Sequence, residues 1–344
     1  MTGSRRTIKA SLRLAAGSPP VMVAERSPAG LAQWLAEQRG DIDATVAQHG
    51  AVLIRGLDVR DEGSAAQAAG ALTARLMEER EAFAPRSELR RGLYSASIWP
   101  PDQPMCMHHE LSYAVQVPSR QVFCCLAAPS RGGATALADA GAVLARLPRP
   151  TVERFARHGW ELVRTHHQVI GVSWQQAFGT SDPRAVEEYC LRNDVACHWG
   201  GDGTLRTTRR RAAILRHPGD GRPLWFNSVA FLSEWTMDQA VREYLTLEFG
   251  PDGLPFNTRY GNGEPLDQET IELINDVYAE CTIREPWQAG DVMVVDNLRM
   301  AHSREPYEGE RQVVVALADP VSVHADRVAT GYALACSSAA SSGV

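Results

Sequence analysis

Nothing in this chain approaches the roughly 18 consecutive apolar residues that a membrane-spanning helix needs. The Arg5-Arg6 start is not followed by the apolar core of a secretion signal. Both absences lead us to expect a cytoplasmic protein with no membrane partner. Cysteine is scarce and dispersed: the seven, at 106, 124, 125, 190, 197, 281 and 336, include no Cys-x-x-Cys spacing, so neither a disulfide framework nor a zinc ribbon is indicated. Most read as small buried hydrophobes. Nor is there a basic excess. With 35 Lys and Arg against 41 Asp and Glu, the formal charge is −6, the wrong sign for a general nucleic-acid binder. The one dense basic cluster, Arg206-Thr207-Thr208-Arg209-Arg210-Arg211, is expected to be a solvated or substrate-entry loop, since blocks of like charge usually stay in water. No internal repeat is present.

What remains is an ordinary globular composition, 44% hydrophobic and 22% charged, with 28 Gly and 20 Pro spread along 344 residues. Leu31, Trp34, Leu35, Ile42 and Val46 recur at helical spacing, and His49-Gly50 supplies a C-terminal stop. A short apolar strand follows at 51–56, and the alanine-rich stretch 64–82 reads as a second helix. Strands are expected at 94–99, 120–126, 291–295 and 311–317, with helices at 140–147, 151–158, 183–192 and 267–281, the last capped by Asp267. Residues 256–263 read as a turn-rich loop. We expect a flexible lead-in over 1–20, one domain over 21–320, and a tail over 321–344 whose last ten residues are disordered. The weakly patterned stretch 160–260 reads either as an insertion over the site, since long connections in compact domains are usually functional, or as a plain α/β excursion.

The chemistry concentrates in Met105-Cys106-Met107-His108-His109-Glu110-Leu111-Ser112-Tyr113. Side chains on a strand alternate faces, so His108 and Glu110 would project to one side, with His109 to the other as a supporting or core residue. Imidazole and carboxylate suit a divalent first-row metal, and two histidines with one carboxylate leave positions open for substrate and dioxygen. The best third ligand is His302, just past the apolar strand in Gly290-Asp291-Val292-Met293-Val294-Val295-Asp296-Asn297-Leu298-Arg299-Met300-Ala301-His302.

Several motifs in order resemble the TauD/TfdA family of iron(II)- and 2-oxoglutarate-dependent dioxygenases. They are the His49-to-Gly56 entry, the 108–113 motif, the Gly132-Gly133-Ala134-Thr135 turn, Trp225-Phe226-Asn227, and the block from Trp287 through Tyr307. The likeness extends over about residues 42–320. It implies an α+β protein with a double-stranded β-helix (jelly-roll, cupin-like) core, flanking helices and a large insertion. It also implies His108, Glu110 and His302 as iron ligands, with Arg311 and Thr135 on the distal carboxylate of 2-oxoglutarate. A planar guanidinium suits that task, offering paired donors and a permanent charge. Many members carry His-x-Asp; the longer Glu110 is similar to clavaminate synthase-like and amino-acid hydroxylase members. Related halogenases lack the carboxylate, so no halogenation is expected.

The implied reaction couples oxidative decarboxylation of 2-oxoglutarate, giving succinate and carbon dioxide, to hydroxylation of an unactivated C–H bond. The implied substrate is an amino acid, free or carrier-tethered, in specialised metabolism such as antibiotic biosynthesis. Arg164, His166, His167, Asn227, Arg259 and Arg304 are candidate contacts, because a polar substrate needs convergent charged groups. Desaturation or cyclisation by the same machinery is the alternative, as is a cupin-like metal enzyme that does not use 2-oxoglutarate. A jelly roll serving only as a scaffold would give no reason to keep His108, Glu110, His302 and Arg311 together.

Overall fold

The computed structural model describes residues 10–24, 30–81, 83–84, 86–167, 170–250 and 252–323. Its organising strand is Val292–Asp296. Val292, Met293, Val294 and Val295 are all buried, yet they divide between two cores. Val292 and Val294 join the cluster under the helices; Met293 and Val295 face the site. Alternation of side chains across a strand produces that division, and it makes this strand central to a sheet buried on both faces. Each such side chain contributes about 1.5–3 kcal/mol of burial.

The sheet has eight strands in the order Ala10–Arg13, Val21–Ala24, Ala51–Arg55, Val292–Asp296, Gln116–Ala127, Gln312–Ser322, Leu93–Ser95 and Glu88–Arg90. Helices Leu31–His49 and Glu62–Leu72 supply Trp34, Leu35, Ile42, Ala68 and Leu72 to its outer core. The first helix ends at Gly50, whose φ of 83° and N–H to the Val46 carbonyl form a left-handed cap. A Cβ there would sit 2.4 Å from the Met300 sulfur. Across the other face lies a four-stranded sheet, Thr282–Ile283, Thr135–Asp139, Met300–Arg304 and Met105–His108. Its Ala136, Ala138 and Met300 share a core with Phe123, Cys125 and Val315 of the large sheet. The structure is therefore mixed α and β with two large facing layers.

Several expectations need correction. The lead-in is partly ordered, because Ala10–Arg13 pairs antiparallel with Val21–Ala24 and extends the sheet edge; residues 324–344 lie outside the described residues, while the last strand runs past 320 to Ser322. The second helix stops at Leu72, not 82. Asp61 caps its start, but Thr73 turns extended and the Ala74 and Arg75 amides donate to Asp319. Met77 then donates to Leu317, so the sheet claims the backbone a longer helix would have needed. Residues 256–260 form an edge strand against Trp160–Arg164 rather than a loop.

The basic run is also a strand, Leu205–Arg211, in a sheet ordered Ala196–Trp199, Leu205–Arg211, Trp160–His166, Phe256–Tyr260. Leu205, Thr207 and Arg209 point inward. Arg209 tolerates burial because Glu81, equally buried, lies 2.5 Å away. The stretch 160–260 thus has a sheet of its own. Among the described residues no helix is long and apolar enough to cross a membrane.

Candidate active site

His108 ends the strand Met105–His108, and His302 sits in the middle of Met300–Arg304 rather than beyond a strand end. The two are direct antiparallel partners, with ring centroids 4.3 Å apart. Glu110 lies past the strand in a turn, so strand alternation is not what aims it. The turn is. Leu111 adopts a φ of 55°, unusual for a branched residue, and Ala114 N donates to the Leu111 carbonyl. One nitrogen from each histidine and one Glu110 oxygen lie within 4.8 Å of one another. Glu110 Oε2 faces His302 Nε2 at 3.9 Å, and the Cys106 carbonyl 2.9 Å from His108 Nδ1 leaves Nε2 for the pocket. Burial lowers both imidazoles, His302 well below its ordinary value. Neutral imidazoles and a carboxylate are the donor set a first-row divalent metal takes.

Asn297 fixes this turn, and nothing in the sequence reading singled it out. Its side-chain oxygen accepts from Glu110 N at 2.8 Å, while its amide donates to the carbonyls of Glu110 (3.0 Å) and Pro118 (2.8 Å). The Asp296-Asn297 pair at the end of a buried strand was the available signal. His109 points away from its neighbours, fully buried, with Nδ1 2.7 Å from the Asn297 carbonyl and Nε2 3.1 Å from that of Trp225. Burial takes it down to about 4. Ser112 and Ser228 pair at 2.7 Å beneath the turn.

On the wall facing His302, Arg311 stands just before the strand Gln312–Ser322. Its Nε donates to the Gly133 carbonyl at 2.8 Å and its NH2 to Thr135 Oγ1 at 3.3 Å. Trp287 Nε1 also donates to that hydroxyl, at 3.2 Å. Burial, helped by Arg304, lowers Arg311 to about 10, so it keeps its charge at neutral pH. Among the described residues no carboxylate pairs with it. A half-buried guanidinium without an anion carries part of the cost of burying a charge, and a dicarboxylate co-substrate is a chemically suitable partner.

The remaining polar candidates are held elsewhere. Arg164 donates to the Glu81 carbonyl at 3.0 Å, His166 Nδ1 meets the Val172 carbonyl, and His167 meets that of Gly253. Asn227 donates to Ala213 and accepts from Val229 N, bracing its own strand end. Arg259 pairs with Asp252 at the surface. Arg304 borders the pocket, but it donates to the carbonyls of Trp99, Pro100 and Gln103, pinning that turn; Glu305 pairs with Arg284 instead. A side chain engaged by internal partners is less free to grip a substrate, and of these only His166 Nε2 and Arg304 Nε are buried without a hydrogen-bond partner among the described residues. The pocket beside His108 and Glu110 is bounded instead by Phe83, Arg86, Ser97, Met105, Tyr113 and Phe231, with Phe231 stacked on His108 at 4.3 Å.

Comparison with known sequences decides the family, because residues 15–317 match the model of the Taurine catabolism dioxygenase TauD, TfdA family. The chain belongs to the TauD/TfdA family. As a TauD/TfdA member it is 32% identical over 310 residues to the dapdiamide synthesis protein DdaC of Enterobacter agglomerans, covering 90% of this chain and 94% of that one. A clavaminate synthase-like protein of Arabidopsis thaliana is 26% identical over 295 residues, covering 83% and 86%. A taurine dioxygenase from Burkholderia xenovorans shares the TauD/TfdA fold with a TM-score of 0.52 at 14% identity, over 92% of each chain. The PvcB protein of Pseudomonas aeruginosa gives 0.52 at 14% over 94% of each. The protein is an Fe(II)- and 2-oxoglutarate-dependent dioxygenase.

Proposed function

We propose that this dioxygenase hydroxylates an unactivated C–H bond of an amino acid or amino-acid derivative, free or carrier-bound, in specialised metabolism. The convergence of His108, Glu110 and His302 opposite an unneutralised Arg311 carries the chemical part of the reading. The substrate class draws on the likeness to DdaC, a protein named for dapdiamide synthesis. In this reading the chain is one dioxygenase domain, and its facing sheets are the halves of a double-stranded β-helix.

His108, Glu110 and His302 hold the iron, and Arg311 with Thr135 holds the distal carboxylate of 2-oxoglutarate. Thr135 Oγ1 already receives two donors, which leaves its own proton free to point at that carboxylate. Bound iron and 2-oxoglutarate supply the oxidising power, with succinate and carbon dioxide as by-products. The chain supplies orientation and dryness. Phe231 over His108, with Phe83 edge-on to it at 4.9 Å, keeps water from the face where a substrate C–H would lie.

Anaerobic titration of the metal-free protein with Fe(II) and then 2-oxoglutarate tests the assignment. A saturable, weak visible charge-transfer band is expected for the wild type. Arg311→Ala should need roughly 100-fold more 2-oxoglutarate, the effect of losing a charged carboxylate contact worth about 3 kcal/mol. Equal titrations for both proteins would refute the role of Arg311.

A further inference from the structure

Glu110 is not free to offer both of its oxygens to a metal. Oε1 accepts from NH2 of Arg86 at 2.7 Å, while Oε2 faces His302 and takes only a 3.3 Å contact from Gln121. The same Arg86 nitrogen is bonded by Glu79, whose backbone N–H donates to the Tyr94 hydroxyl at 2.8 Å. All three side chains are at least nine-tenths buried. A guanidinium beside a cation site would ordinarily repel the cation. Here Glu79 shares the same guanidinium nitrogen and, where ionised, offsets its charge. A charge-assisted bond of this length also fixes direction.

We propose that Arg86 is a positioning residue that confines Glu110 to one metal-facing oxygen, with Glu79 as its counter-charge, and so keeps a coordination position available to the co-substrate. The inference rests on the ligand assignment proposed above. Released from Arg86, the Glu110 carboxylate is free to present both oxygens, one of them where 2-oxoglutarate has to bind. Loss of Arg86 therefore hurts 2-oxoglutarate binding more than iron binding. A simple electrostatic role would instead tighten iron and weaken the anionic 2-oxoglutarate in Arg86→Gln, and both effects would be reversed when Glu79 is neutralised as well.

The test compares wild type, Arg86→Gln and Arg86→Lys in anaerobic titrations, following Fe(II) by calorimetry and 2-oxoglutarate by the charge-transfer band. Because Arg86→Gln leaves Glu79 buried without a partner, the double variant Glu79→Gln/Arg86→Gln is measured alongside it. We expect the Fe(II) Kd to move by less than about threefold, and the 2-oxoglutarate Kd to rise about 10–100-fold in both glutamine variants, the range typical of residues that orient metal ligands. Arg86→Lys, which keeps charge and a donor, should recover part of the loss. Superimposable 2-oxoglutarate titrations overturn the proposal, as does lysine behaving no better than glutamine. A wild type that binds no Fe(II) would instead overturn the ligand assignment itself, which separates the two failures.

Discussion

Asn297 illustrates how one residue governs a site it does not enter. It satisfies an amide and two carbonyls that the bent turn at Glu110 would otherwise leave buried and unpaired. Orphaned backbone groups cost about 1–3 kcal/mol each. Asn297→Ala should therefore destabilise the metal-free protein by about 3 kcal/mol in urea unfolding, with weakened Fe(II) binding in the fraction that folds. Leu would fill similar volume but leave the same groups unpaired, so Asn297→Leu should cost as much. A loss under about 0.5 kcal/mol would show that water or backbone movement replaces the amide. The two histidines and the carboxylate were legible in the sequence because few other roles use that spacing. Asn297 was not, because a turn asparagine looks the same whether or not it holds a catalytic loop. Arg164, His167 and Asn227 show the converse: their polarity suggested a substrate, and in the fold each meets an internal carbonyl.

At the scale of elements, apolar runs were legible and polar strands were not. Val292 to Val295 announced a buried strand. Met300–Arg304 hides one, since its pocket-side residues include His302 and Arg304, and Leu205–Arg211 hides another because charge normally implies water. The turn joining Val292–Asp296 to Met300–Arg304 is itself a latch. Asp296 accepts from Leu298 N and Arg299 N and also meets His217 Nε2 at 2.9 Å. That hydrogen bond raises His217 above its ordinary 6.5. The folded state binds the proton more tightly, so this contribution to stability is complete below the unfolded value and fades as pH climbs through the raised one. Urea midpoints measured from about pH 5.5 to about pH 8.5 should fall with pH in the wild type more steeply than in His217→Gln. Parallel curves would remove the latch from the account.

For the whole molecule the decisive feature is the ion pair between Glu81 and Arg209, which joins the stretch after the second helix to the insertion sheet. Burial alone would raise Glu81, yet Arg209, Arg164 and Tyr189 bring it below its ordinary value. Tyr189 donates to its carboxylate at 2.8 Å, and Tyr113 and Arg164 donate to its carbonyl. Arg209→Met should cost about 3–5 kcal/mol by leaving a buried charge unpaired, whereas Glu81→Gln/Arg209→Met should cost much less. Equal losses in the two variants would mean that packing, not charge, holds the insertion.

Glu81 lies two residues from Glu79 and five from Arg86, on a stretch anchored to the insertion at one point and to Glu110 at another. The sheet within 160–260 is accordingly not a detachable module. An enzyme built by exchanging residues 160–260 for those of a relative would inherit Glu81 without its matched partner Arg209. New specificity of that kind would have to be selected together with the residues that reach Glu110.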